Sequence, residues 1–370
     1  MRIFTCQDCG QLLYFENVRC EKCGHALGYL PDKQAISALE PIGGGLWRAL
    51  AGGRRYRPCQ NHEFGVCNWM IRATSREAFC AACRHNRTVP DLSVPENQQL
   101  WAKIEGAKHR LFYSLLRLGL PLHNRADDGS HGLAFDFLAD PPLTHGQSVM
   151  TGHDNGLITL AVKEADDAER ERVRGAMGEP YRTLLGHFRH EIGHYFWDVL
   201  VRDGRRTDDF RAAFGDESQD YGAALAAHYA NGAPSDWQQH FVSAYASSHP
   251  WEDFAETWAH YLHVVDTLET AGAFGLRVRV KPGMRTKLAA TVDFDPYAST
   301  AFEPLIDTWL PLTFAMNNLN RSMGQNDLYP FILTPEVIAK LGFVHALVHA
   351  RDGLDAITPP NSPAARSPAS

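Results

Sequence analysis

Tyr181-Arg-Thr-Leu-Leu-Gly-His-Phe-Arg-His-Glu-Ile-Gly-His-Tyr-Phe-Trp-Asp-Val-Leu200 is the stretch on which the reading of this 370-residue chain turns. It contains H-E-x-x-H as His190, Glu191 and His194. On a helix, histidines four apart stack on one face, so both imidazoles reach a single ion. Glu191 points to the same side, near enough to take a proton from a metal-activated water. Leu184, Leu185, Phe188, Ile192, Tyr195 and Val199 recur at helical spacing on the opposite stripe and predict a core-anchored helix. Pro180 suits the first helical position, where its missing N–H would be unpaired anyway. The stretch reads as a buried helix presenting two metal ligands, with a third still to be found.

A second informative stretch is Tyr245-Ala-Ser-Ser-His-Pro-Trp-Glu-Asp-Phe-Ala-Glu-Thr-Trp-Ala-His-Tyr261. Pro250 marks a turn, and Phe254, Trp258, Tyr261 and Leu262 recur at helical spacing after it. Glu252 and Glu256 then share one face, the arrangement for one carboxylate on a metal and another hydrogen-bonded behind a ligating histidine. Two solvated acids would read the same way, but the aromatic-rich helix and the missing third ligand favour a site. His228, His260 and His263 are alternative third ligands. His187 is expected to line the cleft, His249 lies next to Pro250, and Asp198 is placed to back His194.

All eight cysteines lie at or before Cys83. Such clustering, with no apolar run resembling a signal peptide, points away from a disulfide framework and towards zinc in the cytoplasm. No apolar segment is long enough to span a bilayer, so no membrane partner is expected. Cys6, Cys9, Cys20 and Cys23 form two C-x-x-C knuckles spaced for one tetrahedral zinc, and each knuckle runs into a glycine. Cys59, Cys67, Cys80 and Cys83 make a second, less regular set with His62 as a substitute ligand. Four thiolates close a coordination shell, so such zinc ions hold structure and catalyse nothing.

Gly43-Gly-Gly45 and Gly52-Gly53 suggest a flexible joint between the two sets. Between Trp47 and Arg87 stand eight arginines against Glu63 and Glu77. These arginines suit a nucleic-acid or acidic protein partner, or pairing with the acidic remainder of a chain of net charge −7. The latter is preferred.

The rest of the chain predicts a helix from Val94 to Leu118, strands over Leu133–Phe137 and Leu157–Val162, and a charged helix over Asp166–Met177. The strand before the metal helix is expected at a sheet edge, where an extended peptide could bind. A short strand near Arg277 and helices over 299–323 and 334–350 follow. The organisation expected is α+β: a zinc-ribbon module (1–88), a mainly helical zincin-like catalytic domain with a small sheet (92–350), and a disordered tail (352–370).

H-E-x-x-H followed by a downstream E-x-x-x-[D/E] helix resembles the gluzincin metallopeptidases, and Tyr-x6-Glu-x2-Ala-Glu resembles their lethal-factor type. The chain as a whole is similar to bacterial zinc-binding metallopeptidases with an N-terminal zinc ribbon. The resemblance implies His190, His194 and Glu252 as ligands of a catalytic zinc and Glu191 as general base. It further implies Glu256 as the carboxylate behind a ligand and Tyr245 as donor to the developing oxyanion. The metzincin pattern fails, since Trp197 and Leu200 stand where its glycine and third histidine belong. The function expected is hydrolysis of a peptide or protein substrate, with one catalytic and one or two structural Zn2+. The alternative is a non-catalytic zinc-ribbon protein that binds protein or nucleic acid on a metallopeptidase-like scaffold.

Overall fold

Both cysteine sets sit on one connected N-terminal module. In the computed structural model, which describes residues 1–140, 149–281 and 288–350, a hairpin of β1 (Phe4–Thr5) and β2 (Leu12–Leu13) carries the first knuckle. An antiparallel meander follows: β3 (Ala26–Leu30), β4 (Ala35–Gly43), β5 (Leu46–Ala49), β6 (Arg55–Pro58) and β7 (Met70–Arg72). The glycines expected to form a flexible joint are instead its turns. Gly43, Gly44 and Gly45 take positive φ at the β4–β5 reversal, and Gly52 and Gly53 do so between β5 and β6. Left-handed backbone is where glycine is needed, so a sequence signal of looseness becomes tight hairpin geometry.

β8 (Asn86–Thr88) leaves that sheet and joins the body, pairing in parallel with β9 (Ala134–Leu138). β10 (Gly152–Asp154) and β11 (Leu157–Ala161) complete a sheet in the order β10-β11-β9-β8. The strand expected at the edge, β11, is therefore internal. The end strand is β10, formed by residues that read as a turn.

The helices are α1 (Pro95–Leu118), α2 (Arg125–Asp128), α3 (Asp167–Met177), α4 (Leu184–Phe196), α5 (Thr207–Phe214), α6 (Tyr221–Asn231), α7 (Trp237–His240), α8 (Pro250–Ala273), α9 (Glu303–Ser322) and α10 (Pro335–His349). A last hairpin joins β12 (Arg277–Arg279) to β13 (Ala289–Thr291). Helices with several small sheets make the chain α+β. The tail expected to be disordered, 352–370, lies outside the described residues.

α4 and α8 form the centre. α4 starts later than the proline suggested: Thr183 is its N-cap, with Oγ1 accepting from Gly186 N at 3.0 Å. Pro180 precedes the helix. Phe188 and Ile192, fully buried, contribute about 1.5–3 kcal/mol each through burial. Gly193, inside the H-E-x-x-H stretch, sets the helix spacing. A Cβ there would come within 2.9 Å of Ala255 Cα and 3.2 Å of Trp258 Cβ. Only glycine lets the α8 backbone approach this closely, which brings Glu252 and Glu256 within reach of the histidines.

At least five of the eight arginines are bound within the chain. Arg48 pairs with Glu40 at 2.6 Å, Arg72 and Arg54 with Asp32 at 2.8 and 3.6 Å, and Arg87 with Asp136. Arg57 donates to the carbonyls of Ser75 and Glu77. Among the described residues no helix is long and apolar enough to cross a membrane.

Candidate active site

α4 and α8 bring three candidate ligands into one buried cluster. Glu252 Oε2 lies 3.0 Å from His190 Nε2 and 3.6 Å from His194 Nε2. Ligands at about 2.0–2.1 Å from a tetrahedral zinc stand roughly 3.3 Å apart, so these separations fit. Glu252 is 1% exposed, and its Oε2 makes no well-formed hydrogen bond. A buried, unsatisfied carboxylate oxygen facing two imidazole nitrogens is costly unless a cation joins them. The donor set of two nitrogens and one oxygen suits zinc with a position left open.

Glu256 stands one turn further along α8 and accepts from His190 Nδ1 at 2.8 Å. That bond fixes the His190 tautomer and leaves Nε2 for a metal. Burial would raise the Glu256 carboxyl, but His190, His260 and Ser243 outweigh it and hold it at about 2. Burial likewise disfavours charge on His190, yet Glu252 and Glu256 raise its proton affinity well above the ordinary value.

His194 has no such backing. Asp198, expected behind it, pairs with Arg202 at 2.6 Å, and His194 Nδ1 has no hydrogen-bond partner among the described residues. The His194 ring is flanked instead by Trp251 at 4.0 Å and His153 at 5.9 Å. Tyr245, on a short turn before α8, places its ring 6.0 Å from His190. Burial, then the Glu252 charge, push its phenol upward, so it stays a proton donor. The alternative ligands have other partners: His260 bonds Tyr329 Oη at 2.7 Å and His263 bonds Arg189 at 2.7 Å. His228, on α6, lies beside Tyr245 with ring centres 6.3 Å apart.

The family described as "Putative zinc-binding metallo-peptidase" matches residues 97–347, which include this whole cluster. The chain belongs to this family. A zinc-ribbon domain family matches residues 3–94. Uncharacterized proteins of Mycobacterium tuberculosis and Mycobacterium bovis are each 42% identical over 349 residues, covering 94% of this chain and 95% of the relative. No solved structure matches.

In this zinc-binding metallopeptidase family member the cysteines form two four-sulfur clusters. Cys6, Cys9, Cys20 and Cys23 meet in one, with the Cys6–Cys23 and Cys9–Cys20 sulfurs each 3.6 Å apart. Cys59, Cys67, Cys80 and Cys83 meet in the other, fully buried. His62 does not substitute: its Nδ1 bonds the Cys67 carbonyl at 3.1 Å. α1 closes over this second cluster, with His109 Nε2 3.5 and 3.6 Å from the Cys67 and Cys83 sulfurs. Next to it Lys108 pairs with Glu105 at 2.8 Å, both fully buried.

Three side chains of the site carried no sequence signal for their placement. Ser243 Oγ donates to Glu256 Oε2 at 2.7 Å. Glu164 accepts from His187 Nδ1 and holds the other imidazole nitrogen 3.9 Å from Glu191 Oε1. Tyr221 Oη donates to Glu252 Oε1 at 2.6 Å. Each contact joins segments far apart in sequence, where no local spacing could mark it.

Proposed function

We propose that this chain is a zinc-dependent peptidase of the gluzincin type. His190, His194 and Glu252 hold the catalytic metal, Glu191 is the general base, Glu256 orients His190, and Tyr245 donates to the oxyanion. The observation that carries this reading is the convergence of both Nε2 atoms on an otherwise unsatisfied Glu252 Oε2, with Glu256 behind His190. Zinc, when bound, supplies Lewis acidity to the scissile carbonyl and makes a water more acidic. Glu191 takes that water's proton and passes it to the departing amine. His187, braced by Glu164, borders Glu191. β10, the end strand, offers main-chain groups to an extended peptide. The two cysteine clusters would hold structural zinc, since four thiolates leave no open position.

The test is hydrolysis of a broad peptide library. Wild-type protein should cleave, and Glu191→Gln should lose about 10²–10⁴-fold in kcat, the usual contribution of a general base, while keeping its zinc. A zinc-loaded wild type that cleaves nothing in the library would remove the peptidase reading.

A further inference from the structure

Glu252 has two carboxylate oxygens, and the chain uses them differently. Oε2 faces His190 and His194. Oε1 accepts the Tyr221 hydroxyl at 2.6 Å, the short distance typical of O–H donation to a carboxylate. Tyr221 is the first residue of α6, whose N-cap Asp220 accepts from Ala223 N at 2.9 Å. Its ring stands edge-on to His249 at 5.3 Å and to Trp251 at 5.7 Å. His249 caps α8, accepting from Trp251 N at 3.1 Å, and its Nε2 lies 3.3 Å from the Gln219 carbonyl. The tyrosine is thus located by the same turn that launches the ligand helix. By contrast α6 buries none of its residues, so packing alone does little to hold it.

We propose that Tyr221 is a positioning residue that commits Glu252 to one-oxygen metal binding and, by the same bond, latches α6 over the site. A carboxylate free to turn would present both oxygens to a metal and fill the position a substrate oxygen needs. With Oε1 engaged by the phenol, only Oε2 remains for the metal. The reciprocal consequence is that α6 is secured chiefly through the ligand it orients, so its order and metal affinity are coupled. This rests on the metal-site part of the reading above and not on peptidase activity.

The experiment uses the full chain with its cysteine sites left zinc-loaded and the histidine site emptied by mild chelation, then titrated with Co2+ or Zn2+. Tyr221→Phe removes one oxygen and keeps the ring, and circular dichroism checks the fold. The variant should bind zinc about 10–100-fold more weakly, the usual loss for such a partner. Its cobalt spectrum should weaken and shift as Glu252 becomes bidentate, and amide exchange over residues 221–231 should quicken. Tyr229→Phe, an exposed tyrosine of the same helix, should leave zinc affinity within about twofold. A Tyr221→Phe variant with wild-type affinity, a superimposable cobalt spectrum and unchanged exchange overturns the proposal. Wild-type protein that binds no metal sensitive to Glu252→Ala removes the metal site and this proposal together. A protein without peptidase activity that shows the cobalt change supports the latch and removes only the peptidase reading.

Discussion

Tyr245 is where a single oxygen can decide between structure and chemistry. Its ring lies 6.0 Å from His190, while burial first, and then the carboxylates Glu252 and Glu191, disfavour its ionisation. A neutral phenol in that position can donate to an oxygen that gains charge as water attacks, an interaction stronger in the transition state than before it. Tyr245→Phe should therefore lower kcat by about 10²–10³-fold, the usual cost of one oxyanion donor. KM and zinc content should barely change. A core role predicts slight destabilisation and near-normal turnover, so steady-state kinetics on one cleaved peptide separates the two. Full activity in the Phe variant sinks the assignment.

At the scale of elements, α1 joins the second cysteine cluster to the helical body. Glu105 accepts from Trp101 Nε1 at 3.0 Å and Asn86 Nδ2 at 2.6 Å, and pairs with Lys108 at 2.8 Å. Burial raises the Glu105 carboxyl against the pull of Lys108, so this charge persists only with its partner. Lys108→Met should cost about 3–5 kcal/mol in urea unfolding, because it leaves Glu105 buried and unpaired. Adding Glu105→Gln should restore part of that loss. A single variant within about 1 kcal/mol of wild type would show that the pair does not hold α1 in place. Nothing in the sequence marks this pair, because its environment is supplied by cysteines more than twenty residues upstream. What was legible was local: histidines and glutamates four apart, a C-x-x-C pair, apolar stripes on α1, α4 and α8. α6 was invisible because its alanine-rich surface carries no buried stripe. The five-stranded meander was missed because glycine turns read as a joint, and Tyr221 because its partner lies 31 residues away.

In the whole molecule the ribbon and the body share structure: β8 completes the sheet of the body, and His109 reaches the sulfurs of the second cluster. The three proposed metal sites should therefore differ in both accessibility and consequence. Fully loaded protein is expected to hold three zinc ions per chain. A chelator such as EDTA under mild conditions should remove the ion at His190, His194 and Glu252 first, since that site has an open position and two neutral ligands that bind less tightly than four thiolates. Activity should vanish at that stage while far-UV circular dichroism stays near its starting value. A thiol-directed mercurial that releases the remaining two ions should then unfold the catalytic body as well as the ribbon. The reason is that opening the second cluster unseats α1, and with it the packing against α4. Zinc analysis giving one equivalent, or activity indifferent to chelation, would contradict the site assignment. If instead the mercurial freed both structural ions and α4 amides kept their exchange protection, the body would be independent of the ribbon.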